Sequence, residues 1–198
     1  YFVDFEALMP AIPVFEGSKP YQKIPFQYSI HYKENADDQL HHKEFIAEPG
    51  PDPRIQFLER FLADTEKQGD ILVFEDTLER QILKDLKKDF PEHKAAISDR
   101  LERIRDLRTP FKNLDYYHPA MNGSFKLKDI YEALVGKEGG DEDIEHGGIA
   151  SILYENLLTE PDQVKIAETK DQLLQYCETD TLALVKIMEA LERSAYGQ

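Results

Sequence analysis

Two carboxylates, Asp4 and Glu6, lie one residue apart in the apolar run 1–6 that opens the chain. Because side chains in a strand alternate between its two faces, Asp4 and Glu6 point the same way. Two like charges on a core strand repel each other and are costly to remove from water. A divalent cation bound between them relieves both costs, whereas at a strand end the same carboxylates simply reach water. The pair therefore indicates either a metal site or an exposed strand end.

A third carboxylate, Glu79, falls on the apolar face of a helix that the sequence predicts over 77–89. At about 100° per residue, Glu79 lies between Leu78 and Ile82 on this face. Asp76 and Glu79 also have the D-x-x-E spacing of a capping box, which satisfies backbone amides without any chemistry. Glu79 is thus a candidate metal ligand or a capping residue.

A fourth carboxylate, Asp180, lies on the core-facing side of a helix predicted over 162–193. Tyr176 precedes it by one helical turn, so the Tyr176 hydroxyl and the Asp180 carboxylate can reach the same point. Glu178 lies on another side of this helix, where we expect it in solvent. A lone Asp on an apolar face is often a hydrogen-bonded core residue, and this remains the alternative for Asp180.

Hydrophobic periodicity predicts an α/β fold that positions these residues. Strands are expected at 1–6, 26–32, 42–47 and 71–74, with a short strand or turn at 104–107. Helices are expected at 53–67, 77–89, 93–104, 126–135, 147–158 and 162–193, with irregular chain over 108–125 and an acidic glycine-rich loop at 139–143. Three strands followed by a strand between helices predict a mixed sheet covered by helices. His41 and His42 point to opposite strand faces, so they offer no shared ligand site.

The composition is that of a single folded domain, since the 198 residues are 41% hydrophobic. The one cysteine, Cys177, excludes an internal disulfide and fits a reducing compartment, so we expect a cytoplasmic protein. No apolar run approaches the roughly 20 residues of a membrane span. The chain opens in a strand without an initiator methionine. We therefore expect 1–198 to be one domain of a longer protein, with the other domains as partners.

The charge distribution bears on nucleic-acid binding. A formal net charge of −15 argues against it, because phosphate contacts need Lys and Arg. However, residues 80–128 hold 12 of the 24 Lys and Arg but only 7 of the 39 Asp and Glu. One side of the protein could therefore face a polyanion, although ordinary solvated helix faces explain the same residues equally well. Lys126 and Lys128 are candidates for phosphate contact or, alternatively, solvated lysines at a helix start.

The ordered set Asp4-x-Glu6, Glu79 and Tyr176-x-x-x-Asp180 resembles the three motifs of the DnaQ-like, or DEDD, 3′-5′ exonuclease superfamily in its tyrosine branch. The chain also resembles a bacterial family, domain of unknown function 2779. The stretches that carry this second resemblance are 4–6, 24–31, 116–119, 123–128 and 176–181. The superfamily resemblance implies a ribonuclease-H-like fold, which is a mixed β-sheet with three antiparallel strands plus parallel strands, covered by helices.

The superfamily resemblance implies a phosphodiesterase that degrades DNA or RNA from its 3′ end by a two-metal mechanism. Two Mg²⁺ or Mn²⁺ ions would be held by Asp4, Glu6 and Asp180, with Glu79 helping directly or through a water. Tyr176 would orient the attacking water, because a phenol with a pKa of about 10 is mostly protonated at neutral pH.

The chain departs from the superfamily pattern at two positions. Glu79 stands where the superfamily usually carries Asp, and its longer side chain can still reach a metal. Glu75 stands where the superfamily usually carries Asn, and the added negative charge could hinder a phosphate. A second hypothesis therefore stands beside the enzyme: a catalytically degenerate module that serves as an interaction or scaffold domain of a larger nucleic-acid-processing protein.

Overall fold

A mixed five-stranded sheet forms the centre of the protein in the computed structural model, which describes residues 1–35, 38–136 and 147–197. The strands are β1 Phe2–Leu8, β2 Ile24–Tyr32, β3 His41–Ile46, β4 Ile71–Val73 and β5 Ile104–Asp106. Their order is β3-β2-β1-β4-β5. The pairs β1–β2 and β2–β3 are antiparallel, whereas β1–β4 and β4–β5 are parallel. The predicted α/β class and mixed sheet are confirmed.

The helices of the described ranges flank this sheet. They are α1 Arg54–Asp64, α2 Thr77–Asp89, α3 Lys94–Arg103, α4 Thr109–Lys112, α5 Leu127–Leu134, α6 Gly147–Leu157 and α7 Gln163–Tyr196. Short 3₁₀ turns occupy Pro91–His93 and Pro119–Met121. The stretch 108–125, which was expected to be irregular, therefore contains α4 and the second of these turns. The expected acidic loop at 139–143 lies outside the described residues. None of the described helices combines the length and apolar character needed to cross a membrane.

The apolar face of the sheet fixes which way β1 presents its carboxylates. Phe5 is buried, and its ring lies edge-on to the rings of Phe57 and Phe61 of α1, with 4.9 Å between ring centroids in both pairs. A one-residue slip of β1 would turn Phe5 out of this core, so the packing holds the register. Because side chains alternate, Asp4 and Glu6 are held on the opposite face.

Helix α7 covers that opposite face. It is 34 residues long, and Leu173, Cys177, Leu184 and Ile187 form part of its buried stripe. The Asp162 side chain caps its start by accepting a hydrogen bond from the backbone N–H of Val164. One continuous helix therefore lies across the strand face that carries the acidic pair.

Candidate functional site

Strand β1 supplies two carboxylates from the sheet. Asp4 lies opposite Ser29 of β2, Glu6 lies opposite Gln27, and the pairing shifts between Glu6 and Ala7. Such bulges re-aim side chains and are frequent next to active sites. Glu6 is 7% exposed and Asp4 retains partial exposure, so neither is the fully solvated strand-end residue of the alternative interpretation.

Helix α2 supplies Glu79, which is 3% exposed. The capping-box interpretation is wrong for Asp76, because its side chain makes no cap hydrogen bond. The Asp76 carboxylate instead accepts a hydrogen bond from Nε of Arg80, one turn along the same helix. Glu79 Oε2 is buried without a hydrogen-bond partner. A buried, unsatisfied carboxylate oxygen is costly, and it is the kind of atom that binds a ligand.

Helix α7 supplies the remaining residues of the set. Asp180 is 8% exposed, as expected for the core-facing side of the helix, and Tyr176 is half-buried. Between them lies Cys177, which is fully buried and whose thiol donates a hydrogen bond to Asp4 Oδ2 at 3.3 Å. This contact joins α7 directly to β1 at the acidic pair.

Burial raises the pKa of all four carboxylates, and the charge of Asp4 raises the pKa of the other three further. Burial, then the charges of Asp4, Asp180 and Glu79, raises the pKa of Glu6 to about 9. Burial and then Asp4 raise the pKa of Asp180 to about 8 and that of Glu79 well above its usual range. Burial raises the pKa of Asp4 to about 6, although the Cys177 hydrogen bond opposes this rise. Since Asp4 affects each of the other three, it lies at the centre of the cluster.

Two donors at this site stay protonated. Burial, followed by the charges of Asp180, Glu6 and Asp4, raises the pKa of the Tyr176 hydroxyl far above its usual range. Burial and then Asp4 raise the pKa of the Cys177 thiol in the same direction. Both groups are therefore hydrogen-bond donors at neutral pH, and neither is a base or a nucleophile.

No Lys or Arg of the described ranges forms an ion pair with these four carboxylates. Elsewhere the protein pairs its buried charges: Arg54, for example, contacts Asp52 at 2.6 Å and Asp89 at 2.9 Å. Uncompensated buried charge destabilises a fold, and perturbed pKa values of this kind cluster at functional sites. The acidic cluster is therefore the candidate site.

Comparison with family models matches residues 1–126 to the family described as Domain of unknown function (DUF2779). The chain belongs to this family. The matched segment contains Asp4, Glu6 and Glu79 and ends before Tyr176 and Asp180. No curated protein and no solved structure matches the chain significantly.

The Glu75 carboxylate of this DUF2779 domain does not stand as an isolated negative charge. It accepts a hydrogen bond from Arg108 Nη1 at 2.8 Å, which offsets its charge. Asp106 Oδ1 accepts hydrogen bonds from the backbone N–H groups of Glu75 and Arg108, both at 2.9 Å. The Asp106 charge also contributes to the raised pKa of Glu79. Asp106 therefore caps the turn and also lies at the edge of the acidic cluster.

The basic segment of the chain is partly structural. Arg103 donates hydrogen bonds to the backbone carbonyls of Thr65, Lys67 and Gly69, and Arg100 donates to that of Leu62. These guanidinium groups hold the turn after α1 and are not available to a polyanion.

The two lysines proposed as phosphate contacts lie at the start of α5. Lys126 is exposed at the N-cap position, and Lys128 lies in the first turn of the helix and is half-buried. Ile130 of α5 packs with Leu184 and Ile187 of α7 in one apolar cluster. The lysines therefore belong to an element that contacts the helix carrying Asp180, and their role in phosphate binding stays a prediction.

Spacing along the chain did not reveal a second polar cluster. His41 and His42 do point to opposite faces, but His42 pairs with His31 of β2 across the strands. Glu178, which we expected in solvent, lies 3.7 Å from His42 Nδ1 with 46% of its side chain exposed. The β2–β3 register would have predicted that His31 and His42, which are distant in the chain, lie side by side.

Proposed function

We propose that this domain is a metal-dependent 3′-5′ exonuclease of the DnaQ-like superfamily that hydrolyses phosphodiester bonds of DNA or RNA. The observation that carries the proposal is the cluster Asp4, Glu6, Glu79 and Asp180, in which each carboxylate has a raised pKa. The sheet, with its antiparallel strands β1 to β3 followed by the parallel strands β4 and β5, agrees with the ribonuclease-H-like fold that the resemblance implies.

The donor set of the cluster fits hard divalent cations. All four side chains offer oxygen atoms, which Mg²⁺ and Mn²⁺ prefer, and Glu79 Oε2 has no hydrogen-bond partner. No three of these carboxylates have oxygen atoms within 4.8 Å of one another, so the ions would have to draw them together. Asp4, Glu6 and Asp180 would hold two such ions, with Glu79 completing the set. When bound, these ions supply a hydroxide at neutral pH and stabilise the charge on the leaving 3′ oxygen.

The remaining residues of the site position the reactants. Tyr176, whose hydroxyl stays protonated, orients the attacking water and does not act as the base. Cys177 holds Asp4 Oδ2 from α7, which fixes the orientation of the carboxylate at the centre of the cluster. Lys126 and Lys128 contact backbone phosphates of the substrate from the start of α5.

The proposal is tested with 5′-labelled single-stranded DNA and RNA in the presence of Mg²⁺ or Mn²⁺. The wild type should shorten both or one of them from the 3′ end, and a chelator should stop the reaction. Asp4→Asn is nearly isosteric and removes the central charge, so it should cost at least about a thousandfold in rate, or about 4 kcal/mol of transition-state stabilisation. Tyr176→Phe removes only one positioning hydroxyl and should be milder.

The controls separate loss of chemistry from loss of fold. Circular dichroism should show that Asp4→Asn is folded, and an oligonucleotide blocked at its 3′ end should resist the wild type. If the wild type and Glu75→Asn are both inert on DNA and RNA with Mn²⁺ bound, the enzyme proposal fails and the scaffold hypothesis replaces it.

A further inference from the structure

A cluster of two histidines and one glutamate lies on the sheet face beneath α7, beside the acidic cluster. His31 of β2 pairs with His42 of β3, and their rings stack with centroids 4.5 Å apart. Glu178 of α7 approaches the same point. One potential ligand atom from each residue lies within 4.8 Å of the other two, and no other trio in the described ranges does so.

Hydrogen bonds hold one nitrogen of each ring. Thr181 Oγ1 lies 2.8 Å from His31 Nδ1, and Ser29 Oγ lies 2.9 Å from His42 Nε2. The two hydroxyl oxygens are themselves 2.7 Å apart. Histidine ligands of metals are typically held in this way, through the ring nitrogen that does not bind the ion.

The Thr181 hydroxyl also lies 3.0 Å from the backbone carbonyl of Glu178 and 3.3 Å from that of Cys177, and a carbonyl can only accept. In one arrangement that is consistent with these distances, Thr181 donates to the Glu178 carbonyl and accepts from Ser29 and His31 Nδ1, and Ser29 accepts from His42 Nε2. In neutral rings this arrangement leaves the lone pairs on His31 Nε2 and His42 Nδ1.

In this arrangement the lone pair of His42 Nδ1 faces a carboxylate. The distance from His42 Nδ1 to Glu178 Oε1 is 3.7 Å, longer than the roughly 2.7–3.2 Å of an N–H···O hydrogen bond. Ligand atoms about 2.1 Å from a tetrahedral zinc ion lie about 3.4 Å from each other. The observed spacing is thus closer to that of two ligands of one ion than to that of a hydrogen-bonded pair.

We propose that His31, His42 and Glu178 form a second metal site, specific for Zn²⁺ or a similar transition-metal ion and separate from the carboxylate cluster. Two imidazoles and one carboxylate form a donor set typical of zinc with water as fourth ligand, whereas Mg²⁺ prefers oxygen alone. The side chains of His42 and Glu178 are 24% and 46% exposed, which gives the ion a path from solvent.

The position of this site suggests what the ion does. His31 and His42 belong to the sheet, whereas Glu178 belongs to α7 between Tyr176 and Asp180. An ion bound by all three residues would fasten α7 to β2 and β3. Zn²⁺ should therefore stabilise the fold through a contact that Mg²⁺ cannot replace.

The test is isothermal titration calorimetry of the domain with Zn²⁺ at pH 7 in excess Mg²⁺, which occupies oxygen-only sites. The wild type should bind one Zn²⁺, and His42→Ala should lose this event. Ser29→Ala, which removes the group that holds His42, should weaken binding about 10- to 100-fold. His41→Ala is the matched control, because His41 points to the other face and stacks on Tyr32 with 5.2 Å between centroids.

Further variants test Zn²⁺ binding independently of the folding of His42→Ala and of the carboxylate cluster. Glu178→Gln alters a half-exposed ligand and should weaken Zn²⁺ binding even if His42→Ala fails to fold. Asp4→Asn should keep the Zn²⁺ event, so this proposal and the exonuclease proposal can fail separately. Co²⁺ in place of Zn²⁺ should give the visible absorption of a tetrahedral complex. The proposal is overturned if the wild type binds no Zn²⁺, if His42→Ala and Glu178→Gln bind it like the wild type, or if Asp4→Asn alone abolishes the event.

Discussion

Replacing Glu6 by Gln should stabilise the metal-free protein. Glu6 is 7% exposed, and burial with three neighbouring carboxylates raises its pKa from 4.5 to about 9. When the pKa of a carboxyl group is higher in the folded protein than in the unfolded chain, the free energy of unfolding falls as the pH rises from the unfolded pKa to the folded pKa. The folded wild type must therefore hold a proton on Glu6 at pH 7, which the unfolded chain does not.

The size of the effect follows from the two pKa values. A pH of 7 lies about 2.5 units above the ordinary pKa of 4.5 and still below the folded value of about 9. Keeping Glu6 protonated at this pH therefore lowers the free energy of unfolding by about 3 kcal/mol. At pH 5 the same cost is below about 1 kcal/mol. Gln is uncharged at both pH values and nearly isosteric. Its amide would also lie across the strands from Gln27 Oε1, a buried oxygen without a partner.

The assay is urea unfolding with a chelator present, at pH 5 and pH 7. Glu6→Gln should gain about 3 kcal/mol at pH 7, or about 6 to 12 °C in melting temperature, and far less at pH 5. Asp99→Asn is the matched control, because the Asp99 carboxylate accepts hydrogen bonds from Arg100 and Arg103 at 3.0 and 3.1 Å. It should lose stability at both pH values. A Glu6→Gln protein no more stable than the wild type at pH 7, or equally stabilised at both pH values, refutes the reasoning.

Two further predictions concern the same site. Millimolar Mn²⁺ should raise the melting temperature of the wild type, because an ion that binds only the native state stabilises it, and Asp180→Ala should abolish the rise. A wild-type thermal-shift curve indifferent to Mn²⁺ would contradict the metal site. Glu75→Asn should keep or increase the rate of 3′ digestion, because it removes a negative charge and releases Arg108 Nη1. A tenfold fall in this rate would instead show that the site needs the Glu75–Arg108 pair.

Local patterns were sufficient to predict the elements that hold the carboxylates. Strand β2 alternates clearly, and α2 combines an apolar stripe with a start directly after β4, so its predicted bounds of 77–89 are those observed. The orientation of Asp4 and Glu6 follows from period-two alternation once Phe5 is assigned to the core. Each of these features depends on neighbours within a few residues along the chain.

The features that sequence patterns missed depend on long-range pairing. The capping box failed because Arg80 binds the Asp76 carboxylate instead. The charge on Glu75 is offset by Arg108, which is 33 residues away in the chain. His31 and His42 meet only because β2 and β3 pair in one particular register. No periodicity in a single segment contains this information.

The single helix α7 has a consequence for how the residues at the acidic cluster can move. Cys177 and Thr181 join its middle to β1 and β2 by hydrogen bonds, and Tyr176 and Asp180 lie in the same short stretch. The helix is a rod roughly 50 Å long, and its buried residues from Ile166 to Ala190 pack it against the rest of the protein on both sides of this stretch, so its ends cannot tilt freely. Sliding the rod along its axis by one residue, about 1.5 Å, would move Tyr176 and Asp180 together relative to Asp4, so axial displacement is the motion to which the site is sensitive.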